Sequence, residues 1–82
     1  MMAYMLANAD WPKVILTIRV ARRWRNADLA RYLVNERGCG DNVQVLSAEL
    51  GRLHRSEIAE PRVTVAIHLY DMYRDHAGEG EQ

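Results

Sequence analysis

The chain has 82 residues, 49% of them hydrophobic and 27% charged, with eleven basic and eleven acidic side chains that cancel at neutral pH. A chain this short folds as one small domain around one core and has no room for separate substrate and cofactor lobes. Its single cysteine, Cys39, excludes an internal disulfide framework and, with no cluster of cysteine and histidine ligands, points to a reducing, cytoplasmic compartment.

No run approaches the roughly 18 apolar residues that span a bilayer, so no membrane association is expected. The opening MMAYMLANADW lacks the charged leader and unbroken apolar stretch of a signal peptide. The neutral total hides an asymmetry. Residues 1–37 carry seven basic and three acidic side chains, a balance of plus four, and residues 38–82 carry four basic and eight acidic, a balance of minus four. Such halves suit an anionic partner or pairing between copies.

Residues 1–9 show no pattern and read as an N-terminal arm. Residues 10–76 read as a single helical domain, and residues 77–82 (AGEGEQ) as a disordered acidic tail. The first segment, DWPKVILTIRVARRWR, is ambiguous. Val14, Leu16, Ile18 and Val20 alternate like a strand, whereas Trp11, Val14, Ile15, Ile18 and Ala21 recur at helical spacing. Its length and the pairing of Asp10 as cap with Pro12 in the first turn favour a helix over 13–20, an opening strand being the alternative.

Asn26 is a good cap for a second helix with Leu29, Tyr32 and Leu33 on one face, ended by Gly38 and Gly40 around Cys39. Asp41 or Asn42 caps a third, in which Val43, Leu46, Leu50 and Leu53 share a face opposite Gln44, Ser47, Ala48, Gly51 and Arg55. Gly51 costs that helix about 1 kcal/mol relative to Ala. Pro61 suits the first turn of a last helix, whose Thr64, His68, Asp71, Arg74 and Asp75 form a polar arc against Val65, Ala66, Leu69, Tyr70, Met72 and Tyr73. The expected fold is all-α, a small four-helix domain.

Enzyme signatures are missing. No GxxxxGK[ST], GxGxxG, HExxH, GxSxG or CxxC occurs, and His54, His68 and His76 are too scattered to share a metal. No catalytic residue, metal or cofactor is expected. Cys39 reads as an exposed turn cysteine without a role, and Asp71 with Asp75 as a solvated helix side.

The stretch Ile18 to Leu33 stands furthest above background. With Ile18, Arg19, Arg22, Asn26, Leu29 and Ala30 it resembles the first two helices of Cro/C1-type helix-turn-helix proteins. Leu46, Ser47, Leu50 and Arg52 look like the recognition-helix region of that family, and Pro61, Val65, Ala66 and Leu69 like its closing helix. The resemblance covers roughly residues 14–75. It implies a DNA-binding transcriptional regulator of double-stranded DNA, dimeric on a palindromic site. Arg19, Arg22, Arg23, Arg25 and Asn26 would then meet the phosphate backbone, while Gln44, Ser47 and Arg55 read base edges. On a helical wheel Trp24 lies with Leu16 and Val20, on a different face from Trp11. The competing expectation is a small helical protein-binding module that masks or inhibits a larger protein, with an apolar patch around Trp11 or Trp24 rimmed by arginines.

Overall fold

The computed structural model describes residues 9–80, with side chains described for 9–76. Among them are four helices and no strand: α1 (Trp11–Arg22), α2 (Asn26–Arg37), α3 (Val43–His54) and α4 (Val63–Gly80). The opening segment is helical for a reason visible in its burial. Of the alternating set, Val14 and Ile18 are buried while Leu16 and Val20 are 48% and 68% exposed, which only the helical period explains. Asp10 caps α1, its Oδ1 accepting the Lys13 N–H at 3.3 Å, and Pro12 lies in the first turn, where a missing amide costs no helix bond.

Helices α1, α2 and α3 stop by one device. A residue in the left-handed region follows each, Arg23 (φ 57°), Gly38 (φ 68°) and Ser56 (φ 61°). The next N–H reaches back five or six residues: Trp24 to the Arg19 carbonyl (2.9 Å), Cys39 to Leu33 (2.9 Å), Glu57 to Arg52 (2.8 Å). Only the middle position holds the glycine that this conformation favours.

The caps differ from expectation at two places. Arg25, not Asn26, is the N-cap of α2, because Asp28 accepts the Arg25 N–H at 3.0 Å and draws Asn26 into the first turn. The last helix begins at Val63, so Pro61 is buried ahead of the first turn. That helix also runs to Gly80, into the expected tail, since Ala77 and Glu79 are good helix formers and no proline intervenes. The expected arm lies outside the described residues except for Ala9, which packs partly against the core.

Helix directions follow from a few contacts. Asn26, at the start of α2, lies over Gly51 in the last third of α3, while five residues join the other ends of the two helices. The pair is therefore an antiparallel hairpin, side by side along its length. Arg19 meets His54 and Arg22 meets His76, so α1, α3 and α4 run in the same sense with α2 opposed. Trp11, Val14, Ile15 and Ile18 of α1, Leu29 and Leu33 of α2, Leu46, Leu50 and Leu53 of α3, and Val65, Leu69 and Met72 of α4 form the core, and no polar side chain is buried with them among the described residues.

Gly51 belongs to the α2 contact rather than to the solvated side of α3. It is buried under the Asn26 amide and the Arg55 guanidinium, which lie 3.8 and 3.2 Å from where a Cβ would stand. Both are ends of flexible side chains, and the φ of Gly51 is ordinary for a helix. Gly51→Ala is therefore expected to raise stability by about 0.5–1 kcal/mol in chemical denaturation, through helix propensity and a less flexible unfolded chain. A loss of stability would show that the helices approach too closely for a methyl group.

Candidate nucleic-acid interface

Since α1, α3 and α4 share a direction, their C-terminal turns meet at one pole of the bundle, where α2 begins. Arg22 and Arg23 end α1, Arg25 and Asn26 open α2, and Arg52, His54 and Arg55 end α3. His76 of α4 joins them through Arg22. Part of this charge answers the helix ends, because the negative dipole termini of α1 and α3 are helped by basic residues in their last turns.

Two of the arginines are built into the fold. Arg19 donates from Nε to the Trp24 carbonyl (3.1 Å) and from Nη1 to His54 Nδ1 (3.1 Å), pinning the turn after α1 to the end of α3. Arg22 donates from Nε to His76 Nε2 at 3.1 Å, and its guanidinium lies 5.0 Å from the Trp24 ring and 5.1 Å from Tyr32. The two rings meet at 5.3 Å. Such stacking of cation on ring adds about 0.5–2 kcal/mol at partly desolvated sites. A guanidinium has donors and no acceptor, so a ring nitrogen of His54 and one of His76 accept in these contacts.

The others reach solvent. Arg23 stands exposed in its left-handed cap, and Arg25 has 87% of its side chain exposed with Nε 3.9 Å from Asp28. Arg55 is also exposed and donates to Glu57 Oε2 at 2.6 Å. The backbone N–H of Arg25 holds the Asp28 carboxyl below its ordinary range, and Arg55 does the same for Glu57. The Oδ1 of Asn26 is buried and accepts no hydrogen bond.

The expected backbone set, Arg19, Arg22, Arg23, Arg25 and Asn26, is thus gathered at one pole, together with Arg55. Gln44 and Ser47 are not. They lie near the start of α3, and eleven residues of helix separate Gln44 from Arg55, roughly 16 Å. Gln44 is exposed, whereas Ser47 is half-buried one turn before Gly51 on the side facing α2.

Trp11 is core, 2% exposed, and Trp24 does not lie with Leu16 and Val20. A helical wheel misplaces Trp24 because the left-handed Arg23 reverses the chain first, folding the indole onto Tyr32. His76 has no local signal in the sequence, since only the packing of α4 beside α1 brings it to Arg22.

Away from the pole, Arg37 links α2 to α4, donating to Asp71 Oδ2 at 3.1 Å and contacting His68 Nδ1 at 3.5 Å. Arg37 holds the Asp71 carboxyl below its usual range. Among the described residues, no group of three histidine, cysteine or acidic side chains is arranged to hold a metal ion, and no helix is long and apolar enough to cross a membrane. Comparison with protein-family models, curated proteins and solved structures found no match to the chain.

Cys39 is not the exposed turn thiol expected between two glycines. It is 3% exposed, because its N–H closes the end of α2 and turns the side chain inward, and burial pushes its thiol up from the ordinary range. Its reaction with a disulfide reagent in native buffer is expected to be slower than that of the unfolded chain by on the order of 100-fold, since it must wait for local opening. A native rate equal to that in denaturant would mean that the loop between α2 and α3 is open.

Proposed function

We propose that this chain is a small all-α DNA-binding transcriptional regulator of the cytoplasm, gripping the phosphate backbone of duplex DNA with its basic pole. One observation carries this: arginines separated in sequence, Arg22, Arg23 and Arg25 against Arg52 and Arg55, are gathered where three helices end. Arg23 adds weight. A bulky residue in a left-handed cap costs roughly 1 kcal/mol against glycine, so stability alone favours a different residue there. Arg19 and Arg22 act as supports that fix the pole, and Arg23, Arg25 and Arg55 as the groups that meet phosphate.

Base reading falls to Gln44 and Arg55, which stand in line on the exposed side of α3, whereas Ser47, half-buried toward α2, contributes at most from the edge. Because α2 and α3 lie antiparallel, this contact differs from that of a helix-turn-helix, whose two helices diverge at about 90–120°. A homodimer doubles the phosphate contacts and suits a two-fold site.

A second role, as a helical protein-binding module, draws on a different surface. Leu16 and Val20 are exposed one turn apart on α1, with Lys13 and Arg23 exposed at either end. An acidic amphipathic helix would suit that strip.

Fluorescence anisotropy against a pool of random duplex DNA distinguishes the two. Binding should weaken log-linearly with salt, and Arg23→Ala with Arg25→Ala should lower the slope by about 0.9 for each phosphate that the variant no longer neutralises. Absence of binding at low salt would sink the DNA proposal and direct attention to the α1 strip. Arg23→Gly is expected to split the two properties, gaining about 0.5–1 kcal/mol in thermal or chemical unfolding while weakening DNA binding. A variant both less stable and equally tight in binding would remove Arg23 from the interface.

A further inference from the structure

We propose that the outer face of α4 is where two copies of this chain pair, antiparallel, about a two-fold axis between Ile67 and Tyr70. The pairing gives a surface to the homodimer of the DNA role above, and it stands or falls without DNA. Val63, Ile67, Tyr70 and Arg74 follow one another at intervals of four, three and four residues, so they fall within about 60° on a wheel of 100° per residue. That is the spacing of a two-helix seam. Val63 and Ile67 are 73% and 47% exposed, although Val65, Leu69 and Met72 of the same helix are buried. The side of α4 that meets α2 is a third one, where His68 and Asp71 face Arg37. The strip is left over once the domain has closed, and Tyr70, half-buried with its ring 5.9 Å from Tyr73, is already held in place.

Charge selects the occupant and its direction. The strip ends in exposed Arg74, which reaches only Asp71, at 3.5 Å, while Asp71 is held by Arg37 at 3.1 Å. Three residues ahead of Val63, at the other end, stands Glu60, exposed and without an ion pair among the described residues. Each copy thus carries a cation at one end of its strip and an unpaired anion at the other. Parallel pairing in register would set Arg74 against Arg74. An antiparallel pair centred between Ile67 and Tyr70 sets Ile67 of each copy on Tyr70 of the other, lays the Arg74 stem over Val63, and brings its guanidinium within reach of Glu60. Asp71 then faces Thr64 rather than a like charge. Within one copy most of α4, roughly 20 Å, separates Arg74 from Glu60, so their contact exists only between copies.

The test is sedimentation equilibrium without DNA from about 5 to 500 µM, a range suited to a contact of one helix from each copy, at the small end of interface sizes. The wild type is expected to dimerise with a Kd of about 20–200 µM. Ile67→Glu should weaken the dimer by about 100-fold or abolish it, because it sets two carboxylates at the centre of the seam. Val45→Glu, which alters a residue 55% exposed on α3, should leave it unchanged. Arg74→Glu and Glu60→Arg should each weaken it about tenfold, and the double variant should return close to the wild type, since the pair is remade with its signs exchanged.

Circular dichroism checks that each variant is folded, and the charge variants, being on the surface, keep the test open should Ile67→Glu lose helix. A wild type that stays monomeric at the highest concentration overturns the pairing and leaves the phosphate contact of the basic pole standing. A dimer indifferent to Ile67→Glu, or lost equally with Val45→Glu, puts the interface elsewhere and overturns it too. Charge reversals that the double variant does not repair overturn the antiparallel arrangement.

Discussion

The structure depends on the apolar stripe of α1. Trp11, Val14, Ile15 and Ile18 point the same way and are each no more than 2% exposed, with α3 against one flank of the helix and α4 against the other. The α2–α3 hairpin packs along its own length but cannot close a core alone, and α4 touches it far less than it touches α1. At about 2 kcal/mol for each large side chain removed from water, these four residues offset a substantial share of the ordering cost of a chain this small.

Among the described residues, the side-chain ties between helices around this core are made by arginine. Arg19, Arg22 and Arg37 each cross from one helix to another, and each meets a histidine nitrogen there; Arg37 alone adds a carboxylate. Arginine suits the task because one planar group serves several acceptors at once and packs against aromatic rings, as Arg22 does at 5.0 and 5.1 Å from the Trp24 and Tyr32 rings. Lysine, a point charge on a flexible stem, would satisfy one partner and leave the others. The result is a bundle whose cross-helix ties leave positive charge at the surface, so that in the proposed role the same arginines serve the fold and the phosphate contact.

The helices themselves are legible from spacing and caps. Asp10, Asn42 and Gly38 do what their residue types suggest, and the inward faces of α3 and α4 follow the 3.6-residue period closely. What sequence does not carry is anything decided after a helix stops. Trp24 and Glu57 each follow a left-handed residue that is not glycine, so neither stop has the usual mark, and the wheel puts Trp24 on the wrong side. Cys39 is misleading for a related reason, since flanking glycines suggest exposure while the N–H bond back to Leu33 turns the thiol inward. Of the candidate site, the arginines are visible as a cluster in sequence, but the partnership of Arg22 with His76 spans fifty-four positions and needs the fold.

The shared direction of α1 and α4 has a topographic effect. Chains whose first and last helices run antiparallel bring both ends to one place; here Trp11 starts at the pole opposite the arginines, and α4 carries the backbone past His76 to Gly80 beside them. The backbone of Trp11 therefore lies on the far side of the bundle, whereas that of Gly80 stands about one helical turn past the ring that accepts from Arg22. A fluorophore on the exposed Lys13 leaves the basic pole open to solvent, and one attached at Gly80 stands over it.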